Sequence, residues 1–494
     1  MGKPYDRQLR IKHKRLNRAF SLYPHLPEVE EILPALHTDA YRHRLKLPVF
    51  VSGERVNIGL YERPKGPHGH KGPSRRHVLH TPDCPVLADG LRQALPAMEE
   101  WLRGRRDIHS IDLRISDATG ELQLVLATRD GDLEGGKRAI RRLERLLPQL
   151  KSVAISQADM DRKRVMGKDP RPFTGRRTID EAIGETRYVL HPGAFFQADP
   201  RNATQIHELV RTMVGPASRV LDLFAGVGAY GRMLAPWVDE VLAVEEVPAA
   251  AASAAENAPQ NFEVLTGKVQ NLDDEDLDAD VAILNPARRG ATPDILKRLA
   301  ERLDRLVYVS CGPETLARDL DVLAAYGLRV DRAVAVDLFP QTREVETVVH
   351  LTRGKPVTAF PAYRGKATGP WRDRPSGALG RVDEMIVMIV GQMHGKRLHN
   401  ARWHHLGTVA SHAVLRLELR ASPQHVLSEL TAKGHPIAGA DPKTRRFFAE
   451  KGGLVRPFVH YTRAGETRSR LHGDLLQTLF SLRAERDLME RLMR

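Results

Sequence analysis

The segment VLDLFAGVGAYG, residues 220–231, decides the fold of this chain. Its apolar start predicts a buried strand, and the glycines behind it predict a tight turn into a helix. Gly226, Gly228 and Gly231 have the G-x-G-x-x-G spacing of a loop that binds a nucleotide-like cofactor. Glu245 ends the next apolar run, where a carboxylate can bind ribose hydroxyls. Such a strand–loop–helix–strand unit is typical of a doubly wound sheet.

The alternation of strand and helix signals continues along the chain. Short apolar runs are separated by helical stretches, as in α/β domains with a doubly wound sheet. We therefore predict a Rossmann-like domain over residues 179–353. Its predicted strands include 220–224, 241–244, 281–284, 306–309 and 345–351, and its predicted helices include 248–257 and 293–303.

A carboxylate ahead of the glycines separates two cofactor classes. Asp222 lies at the end of the predicted strand. There it would repel the pyrophosphate of a dinucleotide and attract the ammonium group of a methionine moiety. The glycine spacing alone would also suit an NAD-dependent oxidoreductase. We predict S-adenosylmethionine as the cofactor, bound by residues that include Asp222, Gly226, Gly228 and Glu245.

One of only two cysteines in the chain lies at the end of another predicted strand. Cys311 stands in the turn of VYVSCGPETLARD (307–319), a usual place for an active-site nucleophile, although a buried structural thiol is the alternative. The segment FPQTREVETVVHL (339–351) supplies Glu346 as a base, with Glu344 ranked lower. A thiolate on carbon 6 of a pyrimidine lets carbon 5 attack a methyl sulfonium, and a base then removes the carbon 5 proton. The pair therefore predicts carbon methylation of a pyrimidine.

Charge indicates the kind of partner. The chain carries 76 Lys and Arg against 62 Asp and Glu, a formal net charge of +14. That excess favours a polyanion, with nucleic acid as the leading candidate. Basic residues cluster in residues 162–177 and near the start of the chain, where we expect Lys12, Lys14, Arg15 and Arg18 to contact phosphates.

The length and composition of the chain limit its cellular location and its number of domains. We expect a cytoplasmic protein, because two cysteines far apart in sequence give no disulfide framework. We expect no membrane partner, because no apolar run approaches the ~18–20 residues that span a bilayer and the basic start lacks a secretory signal. We also expect a monomer. The length favours two to four domains. We predict a basic helix and connector over 1–40, a mixed α/β RNA-contacting domain over 41–178, the cofactor domain over 179–353, a linker over 354–381 and an α+β extension over 382–494.

Seven motifs together resemble one known family. They are YDRQLRIKHKRL, YRHRLKLPV, HPGAFFQAD, LDLFAGVGAYG, NPARRG, SCGPETLARD and FPQTREVETVV, in the order in which the RNA uracil-5-methyltransferases carry them. That family makes 5-methyluridine in ribosomal and transfer RNA, and the resemblance covers roughly residues 5–351. It implies that Cys311 is the nucleophile and Glu346 the base. It places contacts to S-adenosylmethionine or the target ring at Gln197, Phe224, Glu245, Asn271 and Asn285.

Several positions depart from the family's pattern. Many members hold an iron–sulfur cluster with four cysteines ahead of the catalytic domain. Here Cys84 is the only cysteine before Cys311, so we expect no cluster and a structural role for Cys84. The histidines near it match no standard zinc spacing, and no metal is expected. Gly312 stands where Asn is usual, and Asn285 where many relatives have Asp, although some ribosomal RNA enzymes also have Asn.

Two alternatives to a uridine methyltransferase stay open. An amide at Asn285 can accept a hydrogen bond from the uracil ring N–H, but it can also donate, so cytosine-5 methylation of RNA is one alternative. A catalytically silent RNA-binding factor for ribosome assembly is the other. The region after Thr352 has a faint likeness to pseudouridine synthases but lacks their catalytic Arg-Leu-Asp segment. The leading prediction is methylation of a uridine in structured RNA, with ribosomal RNA favoured over transfer RNA.

Overall fold

The computed structural model describes residues 2–357 apart from 22, 24, 30–31, 62–77 and 159–164, and farther along residues 382–390, 393, 398–399, 401–409, 412–420, 423–433, 435, 437 and 459–463. The chain forms two compact units. The first comprises Met1–Leu16, Val29–Gly312 and Val330–Arg353, and the second comprises Asn17–Glu28, Pro313–Arg329 and Gly354–Arg494. All the predicted site residues belong to the first unit.

The predicted basic helix forms as α1 (Tyr5–Phe20). Its two faces differ, because Gln8 and Lys12 are buried whereas Lys14 is exposed. The Lys12 ammonium donates to Asp337 Oδ1 at 2.5 Å. The prediction that Lys12 contacts RNA phosphates is therefore wrong, since its charge is paired inside the fold.

A mixed α/β layer follows the short strand β1 (Ile32–Leu33). Its strands are β2 (Arg44–Ser52), β3 (Arg55–Tyr61), β4 (Val78–His80), β5 (Ile108–Ile115), β6 (Leu122–Thr128), β7 (Leu150–Gln157) and β8 (Lys168–Gly175). They form one sheet in the order β4-β3-β2-β5-β6-β7-β8. Helices α2 (Asp89–Leu102) and α3 (Gly136–Leu146) share its core, against which Cys84 also packs.

The remaining elements before residue 357 build the Rossmann-like part. The strands are β9 (Ile179–Ile183), β10 (Thr186–Leu190), β11 (Arg219–Leu223), β12 (Glu240–Glu245), β13 (Phe262–Thr266), β14 (Val281–Leu284), β15 (Arg305–Ser310), β16 (Leu328–Val336) and β17 (Glu346–Arg353). The helices are α4 (Pro200–Val214), α5 (Ala229–Leu234), α6 (Pro248–Ala255), α7 (Pro293–Arg302) and α8 (Pro313–Ala325). The predicted doubly wound α/β fold is confirmed.

The direction of the strands determines where loops meet. The sheet has the order β1-β16-β17-β15-β14-β11-β12-β13. Strands β11, β12, β13, β14 and β15 pair in parallel, so their carboxyl ends lie at one edge. Strand β17 runs antiparallel to β15 and therefore starts at that same edge. The loops after five strands and the first residue of a sixth converge there.

Four strands and one helix are described beyond residue 357. They are β18 (Val382–Val390), β19 (Ala401–Val409), β20 (His412–Leu419), α9 (Pro423–Ala432) and β21 (Val459–Arg463). The strands form a sheet in the order β19-β20-β18-β21, and side chains of α9 share its core. This is the α+β composition predicted for the C-terminal extension. Over the described parts of the chain, each helix is too short or too polar to cross a bilayer.

Candidate active site

The glycine loop between β11 and α5 has a backbone that few other residues could adopt. Gly226 and Gly228 have φ angles of +61° and +73°. A Cβ at Gly228 would come within 2.7 Å of the Phe262 ring, so this glycine lets helix and strand pack closely. A Cβ at Gly226 would meet nothing within 4 Å. The space beside Gly226 is therefore open to a ligand, and Phe224, also at positive φ, begins the same loop.

Asp222 is fully buried on β11, just before this loop. Its Oδ2 accepts a hydrogen bond from Gly231 N at 2.8 Å, while Oδ1 has no hydrogen-bond partner among the described residues. Burial, with a smaller contribution from Glu245, raises the pKa of Asp222 to about 7. A buried carboxylate with one free oxygen fits the ammonium group of S-adenosylmethionine.

Glu245 ends β12 and is held by the backbone. Its Oε2 accepts a hydrogen bond from Gly226 N and its Oε1 accepts one from Val247 N, both at 2.8 Å. Each oxygen keeps a lone pair that a ribose hydroxyl can use. Asn271 is the exposed last residue of the turn Val269–Asn271 after β13, at the same edge of the sheet. The residues present thus fit S-adenosylmethionine.

Cys311 and Glu346 are placed together by strand register. Ser310, the last residue of β15, pairs with Thr347 in β17. Cys311 follows Ser310, and Glu346 precedes Thr347. Cys311 and Glu346 therefore occupy the next pair of facing positions in the antiparallel register of β15 and β17. Glu346 is only 6% exposed, and no described residue donates a hydrogen bond to its carboxylate. The sheet thus brings the predicted nucleophile and base to one point.

The environment of this pair favours the protonated form of both groups. Burial, with a smaller contribution from Glu344, raises the pKa of Glu346 to about 8. Burial and the nearby charge of Glu346 raise the pKa of Cys311 to about 11. The guanidinium of Arg288 opposes both shifts. An incoming ring therefore meets a thiol and a carboxyl group whose protons can be moved by a small change in surroundings.

Glu344, the lower-ranked base, has a different environment. Arg288 Nη1 lies 3.3 Å from Glu344 Oε1, and the Glu344 side chain is 31% exposed. The Glu344 carboxylate is thus engaged by an arginine and partly open to solvent, whereas Glu346 is buried beside Cys311. The structure therefore favours Glu346 over Glu344 as the base. Arg288 was not predicted as a site residue, although the NPARRG segment directly after β14 carries it.

Two further predicted residues approach the site from separate elements. Asn285 follows β14 directly, and its backbone N–H donates to Leu223 O at 3.2 Å. Gln197 lies between β10 and α4, beside the Tyr230 phenol, and tends to lower its pKa. Burial and the charges of Glu346 and Asp222 nevertheless raise the pKa of Tyr230 well above its ordinary value. The charges of both the cofactor-side and the catalytic carboxylate thus act on Tyr230, which the sequence had not indicated.

Known proteins similar to this chain share one class of activity. The tRNA (uracil-5-)-methyltransferase family model matches residues 260–354. An uncharacterized RNA methyltransferase of Thermosynechococcus vestitus is 30% identical over 374 residues, 70% of this chain and 80% of that protein. One of Oceanobacillus iheyensis is 27% identical over 372 residues, 70% of this chain and 79% of that protein.

Among solved structures, the chain is similar to the Pyrococcus abyssi tRNA (uracil-54, C5)-methyltransferase in complex with S-adenosyl-L-homocysteine. The sequence identity is 26% and the TM-score is 0.57. The match covers 71% of this chain and 84% of that one. It extends the likeness well beyond the segment matched by the family model.

Proposed function

Because the chain belongs to the RNA uracil-5-methyltransferase family, we propose that it methylates carbon 5 of a uridine in structured RNA through a covalent adduct of Cys311. The adjoining register positions of Cys311 and Glu346, at the edge that carries the glycine loop, are the observation that carries this proposal. A nucleophile and a base at one point are what carbon 5 chemistry requires.

The cofactor would be the source of the methyl group. S-adenosylmethionine, when bound, supplies a methyl group on a sulfonium, which a carbon nucleophile can take. Asp222 would hold its ammonium group, and Glu245 would hold its ribose hydroxyls. The open space beside Gly226 would let the ligand approach the backbone of the loop. These residues bind and orient, while Cys311 and Glu346 act on the pyrimidine.

In the proposed reaction the pyrimidine bonds first to Cys311 and later loses a proton to Glu346. The Cys311 thiol loses its proton to solvent, and the thiolate sulfur bonds to carbon 6 while an electron pair moves toward carbon 5 and the O4 enolate. Glu346 also gives its proton to solvent before it acts. After carbon 5 has gained the methyl group, the resulting Glu346 carboxylate takes the remaining carbon 5 proton and later releases it to solvent. The electron pair left behind reforms the ring double bond, the carbon–sulfur bond breaks, and the thiolate is restored.

RNA would be held mainly through its phosphates. Arg7, Arg10 and Lys14 form an exposed stripe along the outer face of α1. A cleft of about 910 Å³ between the seven-stranded sheet and α6 is lined by residues that include Lys46 and Arg177. Such cations provide affinity that depends on salt and not on sequence. The target ring would leave its stack to reach Cys311, which favours loops over intact helices.

Ribosomal RNA is the favoured substrate, because the chain shares Asn285 with some ribosomal RNA methyltransferases. The test compares ribosomal and transfer RNA from a deletion strain and its parent by nuclease digestion and mass spectrometry. We expect one 5-methyluridine to disappear from ribosomal RNA and to return when the purified protein and S-adenosylmethionine are added. Loss of a 5-methylcytidine would establish the cytosine alternative, and an unchanged RNA would support the silent binding factor.

A further inference from the structure

The loop that delivers Glu346 receives much of its support from the N-terminal helix. Residues 337–345, here named the base loop, join β16 to β17 and end directly before Glu346. Side chains from α1 bond to main-chain and side-chain groups along this loop. The base loop is therefore bonded to a segment more than three hundred residues earlier in the chain.

Gln8 makes the most specific of these contacts. Its Oε1 accepts a hydrogen bond from Gln341 N, and its Nε2 donates to Gln341 Oε1, both at 2.9 Å. Gln341 has a φ angle of +64°, a conformation that glycine adopts easily and a glutamine does not. The reciprocal amide pair thus fixes the loop in a strained backbone shape. Strain of this kind persists only where the surroundings impose it.

Lys12 secures the start of the loop. Its ammonium is fully buried, 2.5 Å from Asp337 Oδ1 and 2.9 Å from Phe339 O. Asp337 Oδ1 also accepts a hydrogen bond from Phe339 N at 3.2 Å. One buried charge pair therefore fixes the first turn after β16. Neither partner can move without leaving the other charge unpaired in the interior.

The other contacts follow the same face of the helix. Arg15 Nη1 donates to Arg343 O at 3.0 Å, close to the end of the loop. Gln8, Lys12 and Arg15 are spaced i, i+4 and i+7, so they share one side of α1. The buried Tyr41 hydroxyl adds a hydrogen bond to Pro340 O at 2.8 Å. Hydrogen bonds thus tie the helix to the start, middle and end of the base loop.

We propose that Gln8 and Lys12 are positioning residues for the base, and that the inner face of α1 holds the base loop so that Glu346 faces Cys311. This inference rests on the proposed function of Glu346. It assigns the YDRQLRIKHKRL segment two roles, with its inner face serving catalysis and its outer cations available to RNA. The reaction would therefore depend on a helix that touches neither the ring nor the cofactor.

The test measures turnover and the covalent enzyme–RNA complex in the same reactions. Gln8→Ala removes both hydrogen bonds to Gln341, and we expect the kcat to fall roughly tenfold because the base is misplaced. Since proton removal follows adduct formation, methylated RNA bound to Cys311 should accumulate as a slow band on a denaturing gel with ordinary RNA. The KM for S-adenosylmethionine should not change.

Gln341→Gly is the second variant, chosen to keep the fold intact. Glycine adopts the φ of position 341 without strain, so the melting temperature should hold or rise. The variant loses the bond from Gln8 Nε2 to the residue 341 side chain and keeps only the backbone N–H bond to Gln8 Oε1. We again expect a lower kcat and an accumulated adduct. Lys14→Met, a charge loss on the exposed face of α1, is the matched control. It should raise the KM for RNA without an accumulated adduct.

The outcomes separate this inference from the proposed function. The positioning role is overturned if kcat is unchanged in Gln8→Ala and Gln341→Gly. It is also overturned if kcat falls only in proportion to the folded fraction of each variant and no adduct accumulates. Glu346→Gln is run beside them. If it traps the adduct while the Gln8 and Gln341 variants do not, only the positioning role fails. If Glu346→Gln turns over normally, the proposed role of Glu346 fails with it.

Discussion

Two carboxylates at one edge of the sheet have opposite surroundings. Glu245, on the cofactor side, accepts backbone hydrogen bonds from Gly226 and Val247 at 2.8 Å. Glu346, on the catalytic side, accepts none from the described residues, and burial raises its pKa to about 8. Hydrogen bonds to the charged form fix a carboxylate as an anchor, whereas burial without them prepares it to exchange a proton. The same side chain thus serves binding in one place and chemistry in the other.

Replacement of the catalytic carboxylate should have the largest effect. Glu346→Gln keeps the shape of the side chain but cannot take the carbon 5 proton. We expect multiple turnover to fall about 10³-fold, while one methyl group per enzyme is still transferred. Gel electrophoresis of reactions with fluorine-free RNA should show a heat-stable enzyme–RNA complex. Free methylated RNA released at the normal rate would move the base role to another residue, with Glu344 next.

Replacement of the anchoring carboxylate should affect binding. Glu245→Gln has one oxygen to accept hydrogen bonds, so Gly226 N or Val247 N loses its partner. Because a hydrogen bond to a charged group contributes about 1.5–3 kcal/mol, the Kd for S-adenosylmethionine should rise about ten- to a hundredfold. Calorimetric titration with S-adenosylhomocysteine measures this without turnover. An accumulated covalent adduct in this variant would contradict the division between anchor and base.

The smallest expected effect concerns the pH dependence of the step in which Glu346 removes the proton. A base with a pKa near 8 is mostly protonated at pH 7, so the rate at which the methylated adduct breaks down, followed by rapid quench, should rise about tenfold between pH 7 and pH 9. Glu344→Gln removes a negative charge that raises the pKa of Glu346 and leaves Arg288 to lower it. The rising limb should therefore shift to lower pH. A shift to higher pH, or no shift, would show that Glu346 does not control the profile.

Much of the fold follows from local pattern. Strands such as β14 and β15 are uninterrupted apolar runs because parallel strands in this sheet are covered on both faces. Strand β16, LRVDRAVAV, was not predicted, since charges interrupt its apolar residues and half of it is only partly buried. Backbone pairing with β1 and β17 stabilises β16 as a strand, although its own sequence does not indicate one.

The site residues likewise divide into those that the sequence predicts and those that only the fold reveals. Cys311 and Glu346 could be predicted because chemically distinctive residues follow recognisable motifs. Arg288 and Tyr230 could not, since an arginine in a basic loop and a tyrosine beside glycines are ordinary locally. Lys12 was misassigned because its partner, Asp337, lies 325 positions away. Composition identifies a basic helix, but only the tertiary fold decides which of its lysines reaches a buried carboxylate.

The most direct test of the central claim concerns the nucleophile. Protein, S-adenosylmethionine and substrate RNA carrying 5-fluorouridine are incubated together and separated under denaturing conditions. Fluorine cannot leave carbon 5 as a cation, so the enzyme should stay bound to the RNA through Cys311, with the adducted peptide identified by mass spectrometry. Cys311→Ala should form no adduct and should not methylate ordinary RNA. Methylation by Cys311→Ala at an appreciable rate, or an adduct at Cys84, would contradict the account.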